Sequence, residues 1–398
     1  KTPTTKDSNF VVNVFNTIQD LIRKDLIIAG HDIGSGGLIT TIMEMCFADN
    51  NIAANIDLTS IGEKDSIKLL FSENPGIVVQ SKDKSIEEIL DNKGIDYYKI
   101  GSVTTEKKLL LKNHSDSYEI NIEEYRDYWF KTSMLLDKKQ TANNLSKIRY
   151  TNYKKQALNF KFPTDFTGKI PMLSEMEYRP KAAVIREKGS NSERELANAL
   201  FLAGFQVKDI HMTDLITGRE NLEDVQFIGT VGGFSNSDVL GSAKGWAGAF
   251  LYNEKAKESI NNFISRKDTL SIGICNGCQL FMELEVVNPD HEIHGKMTFN
   301  DSNKHESGFT SVNIQKNNSI MMSSLENCNL GVWISHGEGK FNLPYSEDKY
   351  NIIAKYTYES YPSNPNGSDF NIAMMSSSDG RHLVTMPHIE RSLFQWNW

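Results

Sequence analysis

Apolar residues at Phe10, Val11, Val14, Phe15, Ile18, Leu21 and Ile22 recur at helical spacing, which predicts an amphipathic helix over 9–24. A short apolar run at 26–29 reads as a buried strand. A turn of sequence HDIGSGG then leads into a second helix over 38–48. Further strands are expected at 51–58, 76–80 and 97–103, with a helix near 84–92. Strands mixed with helices in this way make an α+β unit. A helix over 121–137 carries Tyr125, Tyr128, Trp129 and Leu135. The stretch 140–178 shows no period and is rich in Lys, Asn, Thr and Pro, so it reads as an extended connector.

Beyond Pro180 the pattern changes to alternating strand and helix. Apolar strands are expected at 182–186, 207–211, 225–230 and 270–274. Ser192 and Glu195 have the spacing of a capping box that opens a helix to about Ala203, and Gly204 closes it. This rhythm predicts an α/β domain with a doubly wound, mostly parallel sheet and sites at the carboxyl ends of its strands. The expected division is an α+β domain over 1–115, a helix and connector over 116–179, and the α/β domain over 180–398. No internal repeat or low-complexity tract interrupts it.

Composition narrows the function. The 398 residues fit two or three domains at ~150 residues each. Hydrophobic residues make up 39% and charged residues 24%, enough for packed cores. A net charge of -8 gives no general pull toward nucleic acid or an anionic membrane. No apolar run reaches the ~18 residues of a membrane helix. Four cysteines, Cys46, Cys275, Cys278 and Cys328, are too few for a disulfide scaffold and fit a reducing cytoplasm. A chain that opens at Lys1 without methionine is expected to be part of a longer one.

The strongest candidate chemistry lies in Gly273-Ile274-Cys275-Asn276-Gly277-Cys278-Gln279, directly after an apolar strand. A nucleophile at a sharp strand-to-helix turn needs small residues two positions either side. Gly273 and Gly277 supply them around Cys275. The helix start that follows favours a thiolate and offers free N–H groups to an oxyanion. A thioredoxin-like Cys275–Cys278 pair would leave both glycines and Gln279 without a role. A zinc site would need a second close pair, and Cys46 and Cys328 are solitary. Cys278 reads as a small buried hydrophobe, as do Cys46 and Cys328.

A second signal is Met386-Pro387-His388-Ile389-Glu390-Arg391. In an extended segment His388 and Glu390 share a face, and a carboxylate beside an imidazole fixes its tautomer. Cys275, His388 and Glu390 thereby suggest a nucleophile, a base and its orienter. The third signal, Val231-Gly232-Gly233-Phe234-Ser235, is either an anion-binding loop or an ordinary tight turn.

Taken together, GICNGCQ, GGFSNSDVLGSAKGWA, SHGEGKF, YPSNPNGS and MPHIER resemble the class I glutamine amidotransferase domain of the phosphoribosylformylglycinamidine synthase family, in its large fused form. The segments HDIGSGGLITTIMEMCFADNNIAANIDL and LFSENPGIVV resemble the aminoimidazole-ribonucleotide-synthetase-like C-terminal domain of the same family. The resemblance covers essentially the whole chain. It implies Cys275 as nucleophile, His388 as base and Glu390 as its orienter. Gly233 and Phe234 match the oxyanion loop, with the N–H of Asn276 as partner, and Gln279 stands where substrate glutamine is held. His336, Gly337 and Glu338, and residues 364–368, match lining loops. Asn300, Ser302 and Glu306 fall in a stretch similar to the family's N-x-S-x-x-x-E. Asn236-Ser237 departs from the Tyr-Gly common in the family.

The resemblance implies a glutamine-hydrolysing ligase of purine biosynthesis. Glutamine hydrolysis itself would need no cofactor or metal. ATP, Mg2+ and formylglycinamide ribonucleotide are expected to bind mainly through an N-terminal portion beyond this chain. Whether a nucleotide binds at Gly34, Gly36 and Gly37, or the loop is a plain turn, stays open. So do an amidotransferase of another pathway, a cysteine hydrolase of similar fold such as a peptidase, and a docking module with a vestigial triad.

Overall fold

The computed structural model describes residues 7–49, 51–155, 158–169, 177–394 and 397. The chain divides into two compact units that meet between Leu135 and Leu136.

The first unit opens with helix α1 (Ser8–Arg23), capped by the Asp7 side chain accepting from Phe10 N–H. It continues through β1 (Ile27–Asp32), α2 (Gly37–Phe47), β2 (Ala53–Asp57), α3 (Ser66–Leu70), β3 (Ile77–Ser81) and α4 (Ser85–Asn92). Strands β4 (Gly101–Thr104), β5 (Lys108–Asn113) and β6 (Asp116–Asn121) and helix α5 (Ile122–Asp137) follow. A four-stranded sheet has the order β4-β2-β5-β6, and β1 pairs with β3 antiparallel. Leu38, Ile39, Ile42 and Cys46 of α2 pack on Ala53, Ile56, Leu109 and Leu111 to form the core.

Two expectations need correction here. The strand expected to be buried at 26–29 leaves Ile28 half exposed, because among the described residues β1 pairs only with β3. The first unit also runs past residue 115. Strand β6 completes a hairpin with β5 and α5 packs beside α2, where Trp129 Nε1 donates to Glu44 at 2.8 Å.

In the second unit a nine-stranded sheet carries the fold. Its strands are β7 (Lys181–Arg186), β8 (Gln206–His211), β9 (Phe227–Thr230), β10 (Leu270–Ile274), β12 (Glu306–Ile314), β13 (Asn329–His336), β15 (Asn351–Tyr356), β16 (Ile372–Ser376) and β17 (His382–Thr385). Two short strands, β11 (Lys296–Thr298) and β14 (Lys340–Asn342), pair apart from it. The order β13-β12-β15-β16-β17-β10-β9-β7-β8 joins two halves. From β17 to β8 every pairing is parallel; from β13 to β17 every pairing is antiparallel. The parallel half is the doubly wound part, wrapped by α7 (Glu193–Leu202), α8 (Met212–Thr217), α9 (Lys244–Leu251), α10 (Glu254–Ser265) and α11 (Asn276–Glu283). Trp246, Phe250, Phe263 and Phe281 of these helices are fully buried against it.

The stretch expected to be an extended connector contains helix α6 (Leu145–Asn152). Arg149 of α6 donates to Asp137 at 3.1 Å and Glu306 at 2.8 Å, and Ala142 N–H to Ser302 O at 2.9 Å. Residues 156–157 and 170–176 of that stretch lie outside the described residues. The capping box is absent: Ser192 sits at a left-handed φ of 69° with no side-chain cap bond. Its hydroxyl accepts instead from Gly232 N–H at 3.3 Å.

Candidate active site

Strand β10 delivers Cys275 into the turn that starts α11. The residue takes φ 53° and ψ -105°, a conformation disfavoured for any residue with a Cβ. The turn is held on both sides. Cys275 N–H donates to Thr385 O at 2.8 Å, at the end of parallel neighbour β17. A Cβ on Gly273 would stand 2.4 Å from Gly277 O, and one on Gly277 would stand 2.2 Å from Thr230 O. Both glycines are therefore steric requirements of the elbow.

His388 comes from the far side, after β17. Its N–H donates to Trp333 O at 2.7 Å, which anchors it to β13. His388 and Glu390 are both buried, with Nδ1 2.6 Å from Oε1. The pair does not lie on an extended segment as expected. A 3₁₀ turn over Ile389–Arg391 folds the carboxylate back onto the ring. With Nδ1 engaged, Nε2 serves the hydrogen bond between the His388 and Cys275 side chains. Burial alone would favour a neutral ring. The charge of Cys275 and its hydrogen bond, followed by Glu390, outweigh burial and push His388 up to about 10. Arg391 Nε lies 3.8 Å from the Glu390 carboxylate.

The glycine loop closes over this pair. A Cβ on Gly232 would meet His388 Cε1 at 2.7 Å and Cys275 Cβ at 3.3 Å. The amides of Gly233 and Asn276 meet no acceptor among the described residues, so both remain available to an anion. Phe234 stands in the same loop; its N–H is committed to Gly189 O at 3.0 Å, and its ring lies 6.0 Å from His305. Asn236, Ser237 and Asp238 all adopt positive φ. The Asn276 side chain braces this loop, accepting from Ser235 N–H at 3.1 Å and donating to Gln279 at 2.9 Å. Gln279 passes the support on, donating to Glu338 O at 2.7 Å. Its amide is thus occupied by the SHGEG loop.

Cys278 is fully buried, and burial raises its thiol well above the ordinary range. Several supports escaped the sequence reading. Ser335 O lies 3.5 Å from Cys275 Sγ, and Trp333 and Thr385 act through carbonyls, which leave no sequence signature. Arg391 and Ser192 had a visible signal, their position beside named motifs.

Elsewhere in the chain, Gly36 N–H donates to the Glu73 carboxylate at 2.9 Å and Gly37 N–H to Gly34 O at 3.0 Å. The Glu73 carboxylate thus occupies the Gly36 amide of that loop. Among the described residues no group of three or more His, Cys, Asp or Glu could hold a metal ion. No described helix is long and apolar enough to cross a membrane.

A cysteine at the elbow after a central parallel strand, faced by a His–Glu pair and a glycine loop, is the arrangement of class I glutamine amidotransferases. The chain belongs to the CobB/CobQ-like glutamine amidotransferase domain family, which it matches over residues 179–398. Residues 6–112 match the C-terminal domain of AIR synthase related proteins. The chain is 36% identical over 439 residues to a probable phosphoribosylformylglycinamidine synthase of Caenorhabditis elegans, covering 100% of this chain and 33% of that protein. It is 32% identical over 422 residues to phosphoribosylformylglycinamidine synthase of Homo sapiens, covering 98% and 31%. A solved structure of PurLQS from Thermotoga maritima shares 25% identity, with a TM-score of 0.46, over 55% of this chain and 92% of that one. The chain spans about a third of the length of the curated relatives it matches.

Proposed function

We propose that the second unit hydrolyses glutamine to glutamate and ammonia, with Cys275 as nucleophile, His388 as acid and base, and Glu390 as orienter. The ammonia serves ATP-dependent amination of formylglycinamide ribonucleotide by the phosphoribosylformylglycinamidine synthase of which this chain is a part, an enzyme of cytoplasmic purine biosynthesis. The observation that carries the reading is the hydrogen-bonded run from Cys275 through His388 to Glu390, set on an elbow that only glycines permit. Similarity along the first unit as well as the second favours this synthase over another amidotransferase or a peptidase.

The Cys275 thiolate attacks the carboxamide carbon of glutamine, and the N–H groups of Gly233 and Asn276 receive the developing oxyanion. His388 gives its Nε2 proton to the leaving nitrogen, and ammonia departs from a thioester. His388 then takes a proton from water, which attacks the thioester and frees glutamate. Glu390 holds the tautomer throughout and steadies the imidazolium. Phe234 orders the loop through Gly189, and Gln279 fixes the Glu338 backbone beside it. By the family resemblance ATP, Mg2+ and the ribonucleotide bind mainly through an N-terminal portion beyond this chain, and no step here runs through them.

A glutamine-like electrophile incubated with the protein and read by mass spectrometry tests the assignment. The adduct is expected on Cys275, with Cys278 spared and Cys275→Ala unlabelled and inactive. Labelling of Cys278 would overturn the elbow.

A further inference from the structure

His336 ends strand β13 and is 2% exposed. Asn300 determines which of its ring nitrogens carries the proton. Asn300 Nδ2 donates to the carbonyls of Lys304 at 3.0 Å and His336 at 2.7 Å, so Oδ1 is the accepting end of that amide. Oδ1 accepts from Gly339 N–H at 3.0 Å and stands 3.2 Å from His336 Nδ1. Nδ1 is therefore the protonated nitrogen, and Nε2 presents a bare lone pair. That Nε2 is buried and has no donor among the described residues. A buried acceptor left without a donor is rare in folded proteins and suggests a guest that brings one.

The strand end that carries His336 also borders the nucleophile. Ser335, the preceding residue, places its carbonyl oxygen 3.5 Å from Cys275 Sγ. Burial, then the charges of His388 and His305, hold His336 down at about 3, so the ring stays neutral wherever the enzyme works. Collapse of the tetrahedral adduct breaks the C–N bond, and the electron pair leaves with nitrogen. The proton comes from His388, leaving a thioester, a neutral His388 and neutral ammonia. Ammonia has three N–H donors to satisfy and one lone pair to keep. An acidic group in its path, such as an imidazolium, would convert it to ammonium, which has no lone pair with which to attack. A neutral imidazole presenting only a bare nitrogen satisfies the donors and protects the lone pair. The buried Ser302 hydroxyl, two residues from Asn300, is a second polar group without a partner among the described residues. The Glu306 carboxylate, in register with His336, continues the polar interior by accepting from Tyr361 OH at 2.9 Å.

We propose that Nε2 of His336 receives the neutral ammonia released at Cys275, as its first hydrogen-bond acceptor on leaving the glutaminase site. The proposal rests on the glutaminase reading above.

Two substitutions separate the two edges of the ring. His336→Asn keeps a donor near the Nδ1 position for Asn300 and deletes the Nε2 acceptor. His336→Gln places an amide oxygen near the Nε2 position and loses the anchor. Each is made in the chain together with the synthase portion that its relatives carry. Glutamate release, aminated product and ammonium-salt-driven synthesis are then measured side by side. His336→Asn is expected to release glutamate within about twofold of wild type while product per glutamate falls at least threefold, with the ammonium-driven rate unchanged. His336→Gln is expected to recover most of the coupling. Unchanged coupling in His336→Asn would mean that Nε2 holds only a structural water, which overturns the proposal. Equal loss in both variants, or loss of glutamate release itself, would overturn it in favour of a packing role. Failure of the glutaminase reading is distinct, since wild type itself would then release no glutamate.

Discussion

Adding a methyl group at Gly277 tests the elbow by sterics alone. The new Cβ would stand 2.2 Å from Thr230 O and 2.5 Å from Thr230 C, about 1 Å short of ordinary contact. Thr230 cannot yield, because it ends β9 between the parallel strands β7 and β10. Helix α11 must shift instead, carrying Cys275 with it. Overpacking of this kind costs ~1–3 kcal/mol, and a clash with backbone belongs at the upper end. For a unit of this size that lowers Tm by roughly 5–12 °C. A displacement near 1 Å at the nucleophile costs on the order of 100-fold in rate. Gly308→Ala is the control, since its Cβ would meet nothing within 4 Å. Thermal melts and glutamate release on both variants give the comparison. Gly277→Ala melting within about 2 °C of wild type, with full activity, would refute the steric account.

Glu390→Ala should reduce glutamine hydrolysis less than His388→Ala, because the carboxylate orients the base and transfers no proton; equal or reversed losses would mean the roles are misassigned. The raised His388 keeps its proton from neutral pH up to about 10, so hydrolysis should hold through pH 9 and fall as pH passes 10. In Glu390→Gln one source of that rise is gone, so the alkaline fall should move to lower pH; a fall near 6.5 in wild type would contradict the charge pairing. The 398 residues alone should show slow glutaminase activity and no ATP-dependent product, even with ammonium salt, magnesium and ribonucleotide supplied. Detectable formylglycinamidine ribonucleotide from this chain would place the synthase site within it.

The fold was legible where burial is apolar. Helices α1 and α4 carry a clear period, and the parallel strands β7, β9 and β10 are short apolar runs. Where burial is polar the pattern is lost. Helix α6 buries Ser146 and Asn152, so no apolar stripe marks it. The antiparallel half of the sheet buries Glu306, Ser311 and His336, and their side-chain hydrogen bonds replace apolar packing. The hairpin β5–β6 was missed for another reason. Leu109 and Leu111 alternate inward as a strand should, but Leu110 between them faces outward and breaks the two-residue period.

The site divides along a similar line. Cys275 could be found because its constraint is steric and local: two glycines flank it within the same seven residues. His388 and Glu390 could be found because they are neighbours in sequence, although a 3₁₀ turn brings them together and no extended face does. Phe234 shows where such reading stops. Its place in the motif puts it in the oxyanion loop, yet which amide of a glycine loop stays free depends on the segment opposite, and Gly189 O takes that of Phe234. The same holds for Ser192, whose spacing to Glu195 promised a helix cap. Its left-handed backbone turns the hydroxyl toward Gly232, and it supports the loop beside Cys275 instead. A motif therefore identifies which residues stand near the chemistry. Backbone conformation decides which of their atoms remain free to perform it.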